Sequence, residues 1–167
     1  DTTGRFLIPI EAIEQVEIMK GPDSAIYGTS AFMGVINVKT KNPESPFYRT
    51  VFEAGTRDNQ LYSLSAGHKF ENEGELIFFS SGYEGCKDEY YFKNKNMDPP
   101  ERKWDDALTR TQHYYLKYKI RDWTLTCAAA DYFHRFGGGN AYSVFSSDEN
   151  YEKELRGFID LSYDKEM

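Results

Sequence analysis

The residue types able to do chemistry in this chain of 167 residues are few: three histidines, two cysteines and a run of three glycines. His113 and His134 carry imidazole nitrogens that could ligate a haem iron, and His68 interrupts a strand pattern that is otherwise apolar. An ordinary strand-face imidazole at a polar boundary is the simpler reading of all three. Cys86 and Cys127 are too few and too far apart for a disulfide framework or a zinc site. One falls in a loop pattern and the other in mid-strand, so no bond between them is expected. Gly137-Gly138-Gly139 lacks both the GxGxxG spacing and a following helix, which makes it a loop and not a phosphate cradle. GxSxG, HExxH and CxxC are all missing. The sequence points to no catalytic residue, no metal site and no cofactor.

With no reaction in view, composition narrows the class. A net charge of -7 and a pI near 5.0 argue against nucleic acid as a partner, since neutralising phosphates takes clustered Lys and Arg. The 13 Tyr, 12 Phe and 2 Trp bring aromatics to 16%, yet the mean hydropathy is -0.69. A transmembrane β-barrel combines the two naturally, because alternate strand residues face lipid and a polar lumen while aromatics ring both interfaces. No stretch approaches the roughly 20 apolar residues of a spanning helix, which excludes a helical membrane protein. Asp1-Thr2-Thr3-Gly4-Arg5 shows no targeting signal, so the chain is expected to begin inside a longer protein. Tyr163-Asp164-Lys165-Glu166-Met167 likewise reads as a cut through a strand end.

Pro43 and Pro46 make a stiff, polar connector that cannot join a sheet ladder. A domain boundary is placed there, dividing residues 1–42 from 43–167. Ahead of it, Pro9 suits the first turn of a short helix carrying Ile10, Glu11, Ile13 and Glu14, with the acids near its N-terminus. Residues 16–20 read as a strand. Pro22 opens a helical turn through Tyr27, Gly28 stops it, and residues 35–40 form a second strand rich in β-branched side chains. The first segment is thus expected to be α+β.

Beyond the boundary the period becomes 2, and six strands can be marked. Tyr62, Leu64, Ala66 and Phe70 alternate with Ser63, Ser65, Gly67 and Lys69. Leu155, Ile159, Leu161 and Tyr163 alternate with Arg156, Asp160, Ser162 and Asp164. Residues 48–56 and 75–83 fit less well, because Leu76-Ile77-Phe78-Phe79 is apolar on both faces. Tight turns at Glu71-Asn72-Glu73-Gly74 and Arg121-Asp122 alternate with long stretches at 84–108 and 137–150. That rhythm belongs to outer-membrane barrels, with turns on the periplasmic side and loops outside. The turn around Arg57-Asp58-Asn59 is shorter than the rule expects. A soluble sandwich, such as a sugar-binding module or hydrolase, also alternates, but it would put polar residues at positions such as Leu116 and Leu161.

The run Ile13-Glu14-Gln15-Val16-Glu17-Ile18-Met19-Lys20-Gly21-Pro22-Asp23-Ser24-Ala25-Ile26-Tyr27-Gly28, followed by Gly34-Val35-Ile36-Asn37-Val38-Lys39-Thr40-Lys41, resembles the closing stretch of the plug in TonB-dependent outer-membrane receptors. The family's usual form is Ile-Glu-Arg-Ile/Val-Glu-Val-x-Arg/Lys-Gly-Pro-x-Ser-x-x-Tyr-Gly, then Gly-Val/Ala-Ile/Val-Asn-Ile/Val-x-Thr-Lys/Arg. Gln15 stands where the family usually has a basic residue, and Ala31-Phe32-Met33-Gly34 replaces a more glycine-rich run.

The resemblance implies a monomer in the outer membrane: a barrel of roughly 22 strands, of which about six are here, closed by an inserted plug. It implies uptake of a scarce, bulky nutrient, most often a ferric siderophore and sometimes cobalamin, haem or a glycan. The energy would come from the inner-membrane TonB complex, pulling on a plug peptide that lies ahead of these residues. TonB-linked signalling, or service as a bacteriocin or phage receptor, is the alternative, and an N-terminal signalling domain would mark it. Ligand contacts in the family come from upper plug loops and external barrel loops. Those correspond here to Thr29, Ser30 and Phe32, and to Tyr90, Tyr91, Phe92 and Trp104, whose flat rings suit a chelate but also suit an interfacial belt. Glu14, Glu17 and Lys20 fall where the family's plug meets the barrel wall, and enclosed charges there need partners.

Overall fold

The computed structural model describes residues 7–20, 34–43, 45–56, 58–85, 90–93, 101–104, 108–135 and 150–165. After Pro9 the chain makes a single 3-10 turn, Ile10–Ala12, and enters β1 (Ile13–Lys20), which pairs antiparallel with β2 (Gly34–Thr40). The helix expected from Pro9 is therefore only one turn long. Lys41 N–H donates to Ala12 O at 2.9 Å and Ile13 lies opposite Thr40, so pairing with β2 draws Ile13 into the ladder, with an irregularity of register at Glu14. β-Branched Ile13, Val16 and Ile18 suit that outcome. No α-helix occurs among the described residues of this segment, and the turn expected over residues 23–27 lies outside them.

Beyond the proline connector come β3 (Phe47–Ala54), β4 (Gln60–Lys69), β5 (Gly74–Gly85), β6 (Tyr90–Lys93), β7 (Glu101–Trp104), β8 (Leu108–Ile120), β9 (Trp123–Arg135) and β10 (Tyr151–Tyr163). Six of them form one antiparallel sheet in the order β3-β4-β5-β8-β9-β10, an up-and-down meander. The long stretch after β5, read from the sequence as plain loop, instead contains the separate hairpin β6–β7. Tyr-Tyr-Phe has high strand propensity, and Arg-Lys-Trp supplies a partner of equal length. Each tight turn holds one residue in the left-handed region: Asp58 (φ 56°), Glu73 (φ 65°) and Arg121 (φ 51°). The short β3–β4 connection is pinned by Asn59, whose side chain donates to Thr56 O at 2.7 Å and accepts from the Tyr83 hydroxyl at 2.7 Å.

The sheet buries the face that a soluble protein would expose. Ser63, Ser65 and Thr111 are buried with Ala128 and Ala130, while on the opposite face Ile159 is 79% exposed, Leu155 77%, Phe52 68% and Leu161 63%. The two-sided apolar run in β5 is resolved by this geometry. Ile77 and Phe79 point inward to a cluster with Ala12, Tyr115 and Ala128, against which Ile8 and Phe47 pack, while Leu76 and Phe78 share the outward face with Leu116 and Leu125. Phe47 lies directly across from Gly67, its ring filling the space a Cβ would take, so only glycine fits there.

Candidate functional site

The inward face of the sheet carries the root of the N-terminal hairpin, and this contact is the best-defined site in the chain. Ala12, wholly buried, sits on Ile77, Phe79 and Tyr115. Two hydrogen bonds fasten the connector to β8: the Tyr115 hydroxyl donates to Thr40 Oγ1 at 3.1 Å, and Lys117 Nζ donates to Asn42 Oδ1 at 3.0 Å. Lys41 locks the 3-10 turn from the other side, its Nζ donating to Glu11 O at 2.8 Å. Successive residues Thr40, Lys41 and Asn42 thus bond alternately to the wall and to the hairpin. Beside them a cavity of about 490 Å³ separates Ile10, Glu11 and Lys41 from Arg49, Glu53, Ser63 and Ser65 on β3 and β4.

Glu17, singled out from the sequence, is held within its own hairpin by Lys39 Nζ at 2.5 Å and Asn37 Nδ2 at 2.9 Å. The Lys39 ammonium, with the Asn37 amide beside it, keeps the Glu17 carboxyl below the usual range, and the same bond raises Lys39. A lowered carboxyl pKa stabilises the hairpin above the unfolded pKa, and the gain is lost as pH falls through the folded one. Lys39 has the opposite sign, contributing until pH rises through its raised value. Glu17→Gln should therefore lower the thermal midpoint of the plug at neutral pH and leave it unchanged in acid, as differential scanning calorimetry of the intact protein would read; equal midpoints at both pH values would contradict the pairing. Glu14 and Lys20 are exposed on the same hairpin.

The contact between the hairpin root and the six-stranded sheet runs through residues the sequence did not single out: Ala12, Thr40, Asn42, Tyr115 and Lys117. A signal was available, since Tyr115 is a large ring on the polar face of a strand that already has an apolar face. Of the ligand-contact candidates, Thr29, Ser30 and Phe32 lie outside the described residues. Tyr90 pairs with Trp104, and Tyr91 and Phe92 pair with Lys103 and Arg102, in the β6–β7 hairpin. His134 Nδ1 lies 2.9 Å from Thr109 Oγ1, and its ring stacks on Tyr132. His68 meets Phe70 edge-on, and His113 sits in the middle of β8 on the inward face. Among the described residues, no group of three or more His, Cys, Asp or Glu side chains could hold a metal ion. Cys127 is a free thiol on the outward face of β9, and Cys86 lies outside the described residues.

The family described as the TonB-dependent receptor plug domain matches residues 1–35. The vitamin B12 transporter BtuB of Vibrio vulnificus is 38% identical over 78 residues, covering 46% of this chain and 13% of the relative. The metal-pseudopaline receptor CntO of Pseudomonas aeruginosa is 37% identical over 67 residues, 40% of this chain and 10% of that protein. An iron-regulated outer membrane virulence protein of Vibrio cholerae is 44% identical over 39 residues, 23% of this chain and 6% of the relative. No solved structure matches the chain. The matched stretches thus span only a small part of each relative's length. The plug-domain match and the likeness to these outer-membrane proteins together support a fragment of a TonB-dependent receptor of the bacterial outer membrane.

Proposed function

We propose that the intact protein is an active transporter in which residues 1–42 end the plug and residues 43–167 begin a barrel of roughly 22 strands. The observation that carries this is the inverted sheet. Strands β5, β8, β9 and β10 are 12 or 13 residues long, against about 5–6 in ordinary globular sheets and about 9–11 needed to cross a bilayer at a tilt. On the outward face the Trp123 and Tyr163 rings meet at a tilt at the turn end, their centroids 4.9 Å apart, and Phe133 stacks with Tyr151 at the loop end. Trp123 to Phe133 is about 33 Å along the strand, or about 25 Å of height at a tilt near 40°, which is the height of the apolar band of an outer-membrane barrel. Strands β3 and β10 are the open edges of the sheet, and bare edges cannot stand in hydrocarbon, so further strands must complete the wall.

The cargo we assign is a scarce, bulky nutrient taken up at the expense of the inner-membrane TonB complex, with a ferric siderophore as the leading case. Thr29, Ser30 and Phe32 from the plug and Tyr90, Tyr91, Phe92 and Trp104 from the β6–β7 hairpin are its proposed contacts, in a monomeric receptor. Cobalamin is the second reading, favoured by the likeness to BtuB. Growth and uptake by a receptor-deleted strain carrying the intact gene, supplied separately with ferric siderophores, haem and cobalamin, separates the two. Iron-dependent rescue is expected, and rescue by cobalamin alone would overturn the siderophore reading.

A further inference from the structure

The cavity of about 490 Å³ between the hairpin root and the first two strands of the sheet is within the size range of small-molecule sites. Its floor is the inward face of β3 and β4, in three rungs of the register: Arg49 with Ser65, Val51 with Ser63, and Glu53 with Leu61. Phe79 closes the floor beside Ser65, and Glu11 and Lys41 face it from the hairpin root. Acids and bases balance in this lining, although the chain as a whole carries a net charge of -7. Lys41 is engaged, its Nζ donating to Glu11 O at 2.8 Å. The Arg49 guanidinium and the Glu11 and Glu53 carboxylates have no hydrogen-bond or ion-pair partner among the described residues. Ser63 is 9% exposed, and its hydroxyl has no partner among them either. A buried hydroxyl facing an open cavity is satisfied only by what fills that cavity.

We propose that this cavity binds a short zwitterionic peptide, a dipeptide with apolar side chains and both termini free. Arg49 and Glu53 share one face of β3 four residues apart, about 13 Å along the strand. A dipeptide measures about 7 Å between its charged termini, and one charge-assisted hydrogen bond of about 2.8 Å at each end brings its reach close to that span. In this pose the carboxylate lies on Arg49, the ammonium on Glu53 and the central amide over Ser63, while the side chains rest on Val51, Leu61 and Phe79. A free amino acid is one residue shorter and cannot meet both charges. An ion of a single sign would leave the opposite charges of the lining unpaired. Because Glu11 and Lys41 belong to the hairpin root, the bound peptide also ties that root to β3, beside its existing bonds to β8. The site is separate from the cargo contacts proposed above and does not depend on which cargo is carried.

The test is isothermal titration calorimetry of the intact, detergent-solubilised receptor with leucyl-leucine. Saturable binding is expected. N-acetyl-leucyl-leucine, leucyl-leucine amide and free leucine should each bind about tenfold more weakly or worse, since each forfeits one charge-assisted hydrogen bond. Arg49→Gln and Glu53→Gln should each weaken leucyl-leucine binding about tenfold for the same reason. The swap Arg49→Glu/Glu53→Arg keeps both charges, so it should bind the peptide in the reversed direction with affinity close to wild type, and it guards against a folding defect in the single variants. No heat of binding with the dipeptide at millimolar concentration, equal affinity for the acetylated peptide, or a swap no better than the single variants would each overturn the proposal.

Discussion

Replacing Tyr115 with alanine should destabilise the seating of the plug by about 3–5 kcal/mol, the usual cost of truncating a buried ring. Tyr115 is 2% exposed, with Phe79 at 6.3 Å between centroids, and it is the only side chain that both packs under Ala12 and bonds to the connector through Thr40 among the described residues. The truncation would open a void under the 3-10 turn and free Thr40 at once. Tyr115→Phe keeps the ring and removes only the hydroxyl, so it should cost about 1 kcal/mol, the net worth of one hydrogen bond. Denaturant unfolding of the intact receptor reads both values. Cells carrying the alanine form should also become sensitive to bulky antibiotics that the outer membrane normally excludes. An alanine variant as stable and as impermeable as wild type would mean that the plug root is held elsewhere.

The second large effect is expected at a residue that touches almost nothing. Ile159 is 79% exposed, and in a soluble protein its replacement by lysine would fall within about 0.5 kcal/mol of neutral. On the lipid face near mid-height, opposite Cys127, the same lysine should cost about 2–4 kcal/mol. Asp160, its neighbour, points to the other face across from Thr126, and Asp160→Lys should change little. Urea titrations of the refolded receptor in lipid vesicles, compared across the two variants, measure the difference. A penalty for both, or for neither, would contradict a sheet with one face in lipid.

The two faces were legible in the sequence because strand alternation has a fixed period, so Leu155, Ile159 and Leu161 had to share a side whatever the tertiary structure. The tight turns at 71–74 and 121–122 were legible for the same local reason. Two other features depend on partners distant in sequence and could not be read that way. The 3-10 turn after Pro9 is cut short by a bond from Lys41, and the apolar inner residues Ile77 and Phe79 make sense only once Ala12 covers them. The hairpin of β6 and β7 was hidden by its polar surroundings, although Tyr90-Tyr91-Phe92 carried strand propensity. Glu17 drew attention as a candidate enclosed acid; Lys39 stands beside it in the neighbouring strand, while β8 is reached through Thr40 and Asn42.

The central claim is that the apolar face of this sheet meets lipid and the polar face meets the plug. Single cysteines at Ile159, Asp160, Leu161 and Ser162, in a receptor with Cys86 and Cys127 replaced by serine, would be spin-labelled and reconstituted in vesicles. Collision with lipid-soluble oxygen is then compared with collision with a water-soluble nickel chelate at each site. The account predicts oxygen access at 159 and 161 and its loss at 160 and 162. Equal nickel access at all four positions would contradict it and return the sheet to water.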